Sequence, residues 1–477
     1  MKSLRLIAFL MFAACGSGSA FAQTWTTGQI VAVFPFENKS SAPGLQWIGD
    51  AFPELVSERL SSQSCYVLGR EERLRAYDRT GIPASLHPSR ATLYRIAQQM
   101  DVDFAVLGEY TYDGQTFSTS AQLLDMQREK LLPPSTESGP LTDLINIQTR
   151  LAWDLLRGLQ PEVPVTREAY LAAFSPVRLD VFENYIRGVI ATSNAERIAY
   201  LRAAVRINPS YGQAWLQLGK THYDAHQYDQ AISDFSQVSR TAPSAREANF
   251  YLGLAAYYQG NFAKAEAAFG FVATTLPLAE VYNNLGVVAA RREKKGATEF
   301  FQHAVQSDPK DADYRFNLAV SSLRVNDLSG ASRQLREALA LRPNDTEAKA
   351  LYDRIAGTAS AKTQNSGDAY AFGNLPLERI KRNYEENSFR QLVLQIQAVA
   401  EQRLSKTDSE THARFHVGRG QELLSRGFVA EADKEFREAA ALDPQNAQAL
   451  AGLARVMEDD GDMSGARSQA EAALRLQ

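Results

Sequence analysis

The chain has 477 residues, too many for one ordinary core, and its length points to about two to four domains. Hydrophobic residues make up 45% and charged residues 22%, which excludes both a disordered chain and a polytopic membrane protein. A formal charge of −4 supplies no field that would gather nucleic acid or anionic lipid.

At the N-terminus, Met1-Lys2-Ser3-Leu4-Arg5 precedes an apolar run from Leu6 to Ala14 and small residues ending in Ala20-Phe21-Ala22. That order is a charged n-region, an h-region and an A-x-A cleavage site, so residues 1–22 are expected to be a secretory signal outside the fold. The apolar run is too short for the roughly 20 residues of a spanning helix. A rival processing site lies at Met11-Phe12-Ala13-Ala14-Cys15, which resembles a lipobox and would make Cys15 a lipid anchor, although Phe12 stands where Leu is usual. Either route places the protein in the periplasm or cell envelope. Cleavage after Ala22 leaves Cys65 as the single cysteine, expected to be a buried thiol within the strand Cys65-Tyr66-Val67-Leu68.

Residues 28–135 mix strand and helix signals. Ile30-Val31-Ala32-Val33-Phe34-Pro35-Phe36 fits a buried strand, and Leu45–Leu60 carries apolar residues at helical spacing. Helices are expected at Glu71–Asp78 and Ser89–Met100. Strands are expected at Asp103–Tyr110 and Thr116–Leu124, joined at Asp113-Gly114. A helical connection follows over 141–179, with its helix at Leu141–Leu159. The fold expected is an α/β N-terminal domain, a mixed sheet with helices, followed by an all-α superhelix in two blocks.

The run Val31-Ala32-Val33-Phe34-Pro35-Phe36-Glu37-Asn38, followed by Trp47-Ile48-Gly49-Asp50, resembles the TolB N-terminal-like domain found beside helical repeat arrays in bacteria. Asp103-Phe104-Ala105-Val106-Leu107-Gly108 is similar to a strand of that group and of its CsgG-like relatives. Such a resemblance implies a fold more than a job, because folds of this kind are reused.

From Asp180 onward one pattern recurs: Ala231-Phe235-Val238-Pro243, Ala265-Phe269-Val272-Pro277, Ala297-Phe301-Ala304-Pro309 and Ala331-Leu335-Ala338-Pro343. The prolines stand 34, 32 and 34 residues apart, the mark of a repeat architecture. Trp215-Leu218-Gly219, Leu252-Gly253, Tyr282-Leu285-Gly286 and Leu318-Ala319 fill the first half of each unit. Together these resemble the tetratricopeptide repeat (TPR). A small residue lets two helices approach, bulky residues fill the gap and Pro ends the second helix. A single unit cannot close its own apolar face, so neighbours stack. The first block is expected over 180–356, beginning with a degenerate unit at Tyr185, Gly188, Ala204 and Pro209. A flexible linker follows at 357–371, and a second block over 372–477 opens with a helix pair near Leu377–Leu404 and continues through Ala432-Phe436-Pro444 and Leu453-Ala454-Gly461.

Chemistry-bearing motifs are sparse. Gly219-Lys220-Thr221 echoes the end of a phosphate-binding loop, but Ala214 stands where its first Gly is needed. The pairs His222/His226 and His412/His416 have helical i, i+4 spacing without the Glu or third ligand of a metal site. His222 occupies an interhelix packing slot. Nothing supports a catalytic mechanism, a cofactor or a metal. Arg291-Arg292-Glu293-Lys294-Lys295 reads as a solvated face that could also meet an acidic partner.

With the Gly slot counted as position 8, positions 2, 5, 9 and 12 of each first helix form one stripe. It reads Gln213, Leu216, Lys220, Tyr223; Glu247, Phe250, Leu254, Tyr257; Glu280, Asn283, Val287, Ala290; and Asp313, Phe316, Val320, Leu323. The candidate partner groove is Leu216, Lys220, Tyr223, Phe250, Tyr257, Asn284, Arg291, Phe316, Asn317 and Arg324, with the aromatics as anchors for an extended or helical peptide. Asn284 and Asn317 resemble the asparagines with which some TPR proteins hold a peptide backbone. For this pair capping or an intramolecular bond is preferred over ligand contact, and cover by neighbouring helices or by the first domain is the alternative for the aromatics. The function expected is a non-enzymatic, exported scaffold or adaptor for protein or peptide partners, with no nucleic acid and with membrane contact only through Cys15. The alternative is an envelope-assembly or signalling component whose α/β domain binds the ligand or lipoprotein partner.

Overall fold

The structure, a computed structural model, describes residues 29–61, 65–83, 88–161, 165–174, 176–361, 375–386, 408–425, 429–459 and 461–476. The signal and lipobox calls, and most of the expected linker, lie outside these residues.

The N-terminal unit is built from β1 (Gln29–Val33), β2 (Glu37–Asn38), α1 (Trp47–Leu60), β3 (Cys65–Leu68), α2 (Arg70–Thr80), α3 (Arg90–Gln99), β4 (Phe104–Tyr112), β5 (Thr116–Asp125), β6 (Lys130–Leu131), β7 (Ser135–Pro140) and α4 (Leu144–Leu159). The strands form one mixed sheet in the order β3-β1-β4-β5-β6, with β2 alongside β4 and β7 alongside β5. β1 runs parallel to β3 and β4, while β5 runs antiparallel to β4 and β7. Alternation along the strands divides their side chains between two cores. Ile30, Ala32 and Phe34 join Leu68, Ala105 and residues of α2 and α3 such as Tyr77 and Ile96. Val31, Val33 and Phe36 join Phe117, Leu123, α1 and α4. Cys65 is fully buried in that second core, which pushes its thiol up to about 12.

The unit extends past residue 135. β7 pairs with β5 from Thr116↔Pro140 to Ala121↔Ser135, and α4 packs on β5, β7 and α1. The helix expected as a connection is therefore part of the α/β layer, because Leu144, Ile147, Leu151 and Leu155 give it a continuous apolar face.

After the short α5 (Arg167–Ala172), five helix pairs follow: α6 (Leu179–Ile190) with α7 (Asn194–Ile207), α8 (Gly212–Asp224) with α9 (Tyr228–Phe235), α10 (Ala245–Tyr258) with α11 (Phe262–Thr275), α12 (Ala279–Arg291) with α13 (Ala297–Ser307), and α14 (Ala312–Arg324) with α15 (Leu328–Leu341). α16 (Thr346–Ala361) packs on α15. It continues through Ala361, so the first residues expected to be linker are helical. Two further pairs are α17 (Ser409–Ser425) with α18 (Val429–Leu442) and α19 (Ala447–Asp459) with α20 (Met463–Arg475).

The recurrent small residue has one repeated cause. A Cβ at Gly219, Gly253 or Gly286 would stand 2.5, 2.7 or 2.6 Å from the ring of Phe235, Phe269 or Phe301. Where the partner is Leu335 instead of Phe, Ala319 fits. The turns repeat as well: His226, Gly260, Glu293, Asn326 and Gly461 all have positive φ just after a first helix, the left-handed residue that closes a helix C-terminus.

The first repeat does not stand apart from the sheet. Val181, Phe182, Tyr185, Leu201, Tyr211 and Leu218 belong to the same apolar cluster as α1, α4 and one face of the sheet. The ring of Trp47 meets that of Phe182 edge-on at 6.5 Å, and the Tyr170 hydroxyl donates to the Arg59 carbonyl at 2.9 Å.

The helix expected from Leu377 is not formed over its described part: residues 375–385 are non-helical, while 387–407 lie outside the described residues. The reason is tertiary. This stretch lies in the groove of the first block, and its backbone hydrogen-bonding groups are taken by side chains of α12 and α14.

Candidate functional site

The first helices α10, α12 and α14 and the start of α16 line a groove occupied by the chain's own segment Leu375–Glu386. Two asparagines grip its backbone. Asn317 Nδ2 donates to the Arg379 carbonyl at 2.7 Å and Asn317 Oδ1 accepts the Arg379 N–H at 2.7 Å. Asn284 makes the same pair of bonds with Lys381, both 2.8 Å. Residues i and i+2 of an extended chain face the same way, so two asparagines one repeat apart hold alternate peptide units. Asn283 adds a bond to the Arg379 carbonyl at 2.9 Å and accepts from Asn317 at 2.7 Å. Glu280 accepts the Glu385 N–H at 2.8 Å. All three asparagines are fully buried, a state that polar side chains tolerate when their bonds are made.

Side chains fix the register. The Glu378 carboxylate has no exposed surface and sits between Arg291 and Arg324, each at 2.9 Å. The Arg379 guanidinium lies 3.7 Å over the centre of the Phe316 ring and reaches Asp345 at 2.6 Å, Asp313 at 3.0 Å and Glu347 at 2.8 Å. Lys381 pairs with Asp311 at 2.6 Å and Asp313 at 2.9 Å. Ile380 packs against the cluster of Val287, Phe301 and Leu318, which Tyr257 also borders. Tyr384 meets Phe250 with centroids 5.2 Å apart, and Glu386 pairs with Arg246 at 2.7 Å.

The electrostatics have a direction. Asp311, Asp313 and Asp345 stand at or beside the N-terminal ends of α14 and α16, while Arg291 and Arg324 end α12 and α14. Carboxylates at N-termini and guanidinium groups at C-termini follow the helix dipole. Along α12, α14 and α16 they leave one wall of the groove acidic and the other basic, while Arg246 at the start of α10 adds a cation on the side of the helix N-termini. Burial opposes ionisation of Asp313, but bonds from Arg342, Lys381 and Arg379 outweigh it and hold the carboxyl well below its usual range. Burial likewise opposes the charge on Lys381, and Asp311 and Asp313 raise its pKa in spite of it. Burial pushes Glu280 up to about 7, against the bond from the Glu385 N–H and the nearby charge of Lys381.

Of the residues picked from sequence, Phe250, Asn284, Arg291, Phe316, Asn317 and Arg324 come together on this segment, with Tyr257 at its edge. Leu216, Lys220 and Tyr223 do not. Leu216 is buried in the core between pairs. Lys220 reaches back to Glu71 of α2 at 2.6 Å and to Glu247 at 2.9 Å. Tyr223 sits among Tyr228, Tyr251 and Tyr258. Sequence reasoning left Glu280, Asn283 and Asp313 as members of the stripe without naming them as contacts, and it missed Arg246, Asp311 and Asp345. Their common signal was position at the start of a first helix. His222 does pack between helices, its Nδ1 2.5 Å from Asp234 Oδ2. Among the described residues no group of three or more His, Cys, Asp or Glu could hold a metal, and no helix is long and apolar enough to cross a membrane.

Family models described as tetratricopeptide repeat match residues 216–270 and 417–477, and a second such model matches 294–355. No curated protein matches the sequence. Solved structures with similar folds include YrrB, described as a TPR protein with an unusual peptide-binding site, at 16% identity and TM-score 0.34, over 36% of this chain and 90% of that one. Others are MamA from Desulfovibrio magneticus RS-1, at 23% identity and TM-score 0.30, over 32% of this chain and 89% of that one, and PilF of Pseudomonas aeruginosa, at 16% identity and TM-score 0.32, over 36% and 78%. The matched ranges fall on the helix pairs: this chain carries tetratricopeptide repeats, on an N-terminal mixed α/β unit.

Proposed function

We propose that the protein is an exported, non-enzymatic scaffold that holds extended segments of partner proteins in the inner groove of its first repeat block. TPR proteins generally mediate protein–protein interactions. The observation that carries the reading here is the double grip of Asn284 and Asn317 on alternate peptide units of an extended chain. Such bonds are indifferent to side-chain identity and suit a peptide site, with pockets on either side giving selectivity. The charged n-region, apolar run and Ala20-Phe21-Ala22 support export to the periplasm.

The test uses full-length protein, because the α/β unit and the first repeat share a core. Wild type and the Asn284→Ala/Asn317→Ala variant are compared as baits in envelope extract, with captured proteins quantified by mass spectrometry. The variant is expected to lose a defined set of partners that wild type retains. Equal capture by both would remove the groove from the function. Intact mass of the mature protein from the periplasmic fraction checks export, cleavage after Ala22 leaving Gln23 first and lipidation leaving Cys15 first.

A further inference from the structure

The segment in the groove is matched to it side chain by side chain, beyond what a covering loop requires. Glu378 enters the basic wall and is wholly enclosed there, while Arg379 and Lys381 enter the acidic wall. Ile380 fills an apolar gap between them. Tyr384 and Glu386 close the α10 end on Phe250 and Arg246. The order is carboxylate, cation, aliphatic residue, cation, and then, three and five positions on, an aromatic ring and a carboxylate. Reversing it would put like charges together on both walls, each buried mismatch being strongly unfavourable.

We infer that Leu375–Glu386 is a built-in competitor: it occupies the peptide groove in cis, and partner segments displace it by presenting the same charge order on an extended backbone. The inference rests on the reading of the groove as a peptide site and adds both the chemistry of the partner and a threshold for its entry. A site whose open form is a small fraction of molecules binds with affinity reduced by that fraction. The covalently attached segment, at high effective concentration, imposes that reduction without any second protein.

The probe is a fluorescein-labelled peptide with the sequence of residues 375–386, titrated by anisotropy against the full-length chain. Wild type is expected to bind it weakly. The Glu378→Ala/Arg379→Ala/Lys381→Ala variant, whose own segment has lost its anchors, should bind at least about tenfold tighter. Adding Asn284→Ala and Asn317→Ala to that variant should abolish the gain. A peptide with Glu378 exchanged for Lys, and Arg379 and Lys381 for Glu, should bind at least about tenfold more weakly than the matched one. The inference is overturned if the opened variant, folded by circular dichroism, gains no affinity, or if the charge-exchanged peptide binds equally well. Should the variant not fold, hydrogen–deuterium exchange on wild type decides. An excess of isotope-labelled peptide must speed exchange at the Arg379 and Lys381 amides of the chain, and unchanged rates overturn the competitor. If capture of envelope proteins still depends on Asn284 and Asn317 while the segment peptide is ignored, the scaffold reading stands and the competitor alone falls.

Discussion

At the scale of single residues, buried Glu280 gives the groove a dependence on pH near neutrality. An unfolded Glu ionises near 4.5 and the folded one near 7, so between those values the folded chain holds a proton that the unfolded chain has released. The stability associated with this site is complete below pH 4.5 and is lost as pH rises through 7. The loss is on the order of 3 kcal/mol at most. Urea denaturation at pH 5 and pH 8 should show wild type weakening with pH and Glu280→Gln changing less; parallel curves would show that Glu280 titrates normally. Asn284 and Asn317 were legible in sequence because each sits at a fixed repeat position, beside the bulky and small residues that set the register. The pairing of Lys220 was not legible, because its partner Glu71 lies 149 residues earlier, on another element that no repeat pattern can announce.

At the scale of elements, the fit between a small residue and a bulky one across a helix pair, Gly and Phe in three of them, sets the spacing of the array. Gly286→Ala would place a methyl 2.6 Å from the fully buried Phe301 ring, so one of the two must shift. Overpacking of this kind costs about 1–3 kcal/mol. The thermal midpoint of Gly286→Ala should fall, and Gly286→Ala/Phe301→Leu, which copies the Ala319–Leu335 pairing, should recover part of the loss. The helix pairs were readable because three- and four-residue periodicity and the Ala-Phe-Pro landmarks agree. β7 was not, since Ser135-Thr136-Glu137-Ser138-Gly139-Pro140 carries no apolar alternation and is a strand only through its ladder with β5. Residues 375–385 failed the opposite way. Their spacing of Leu377, Ile380 and Tyr384 mimics a helix, yet the asparagines of α12 and α14 satisfy the backbone better in extended form.

At the scale of the whole molecule, the common core of the sheet, α1, α4 and the first repeat makes residue 179 a poor place to divide the chain. A fragment beginning at Asp180 would expose the faces of Phe182, Tyr185 and Tyr211 that now share one core with α1. Apolar area of this extent is a main source of stability, and its exposure favours aggregation. Such a fragment should show lower solubility and a lower melting temperature than the full chain, measured by light scattering and calorimetry; an equally stable, monodisperse fragment would show that the units are independent. The α/β layer and the repeats were each visible in the sequence. Their fusion was not, because it depends on which apolar faces remain uncovered once each unit has folded.

The groove segment is tied to Arg246, Phe250, Asn284, Arg291, Asn317, Arg324 and Asp345, which lie on or immediately before four successive first helices. One strand of chain is thus knotted to several repeats at once, and its departure would cut all of those ties together.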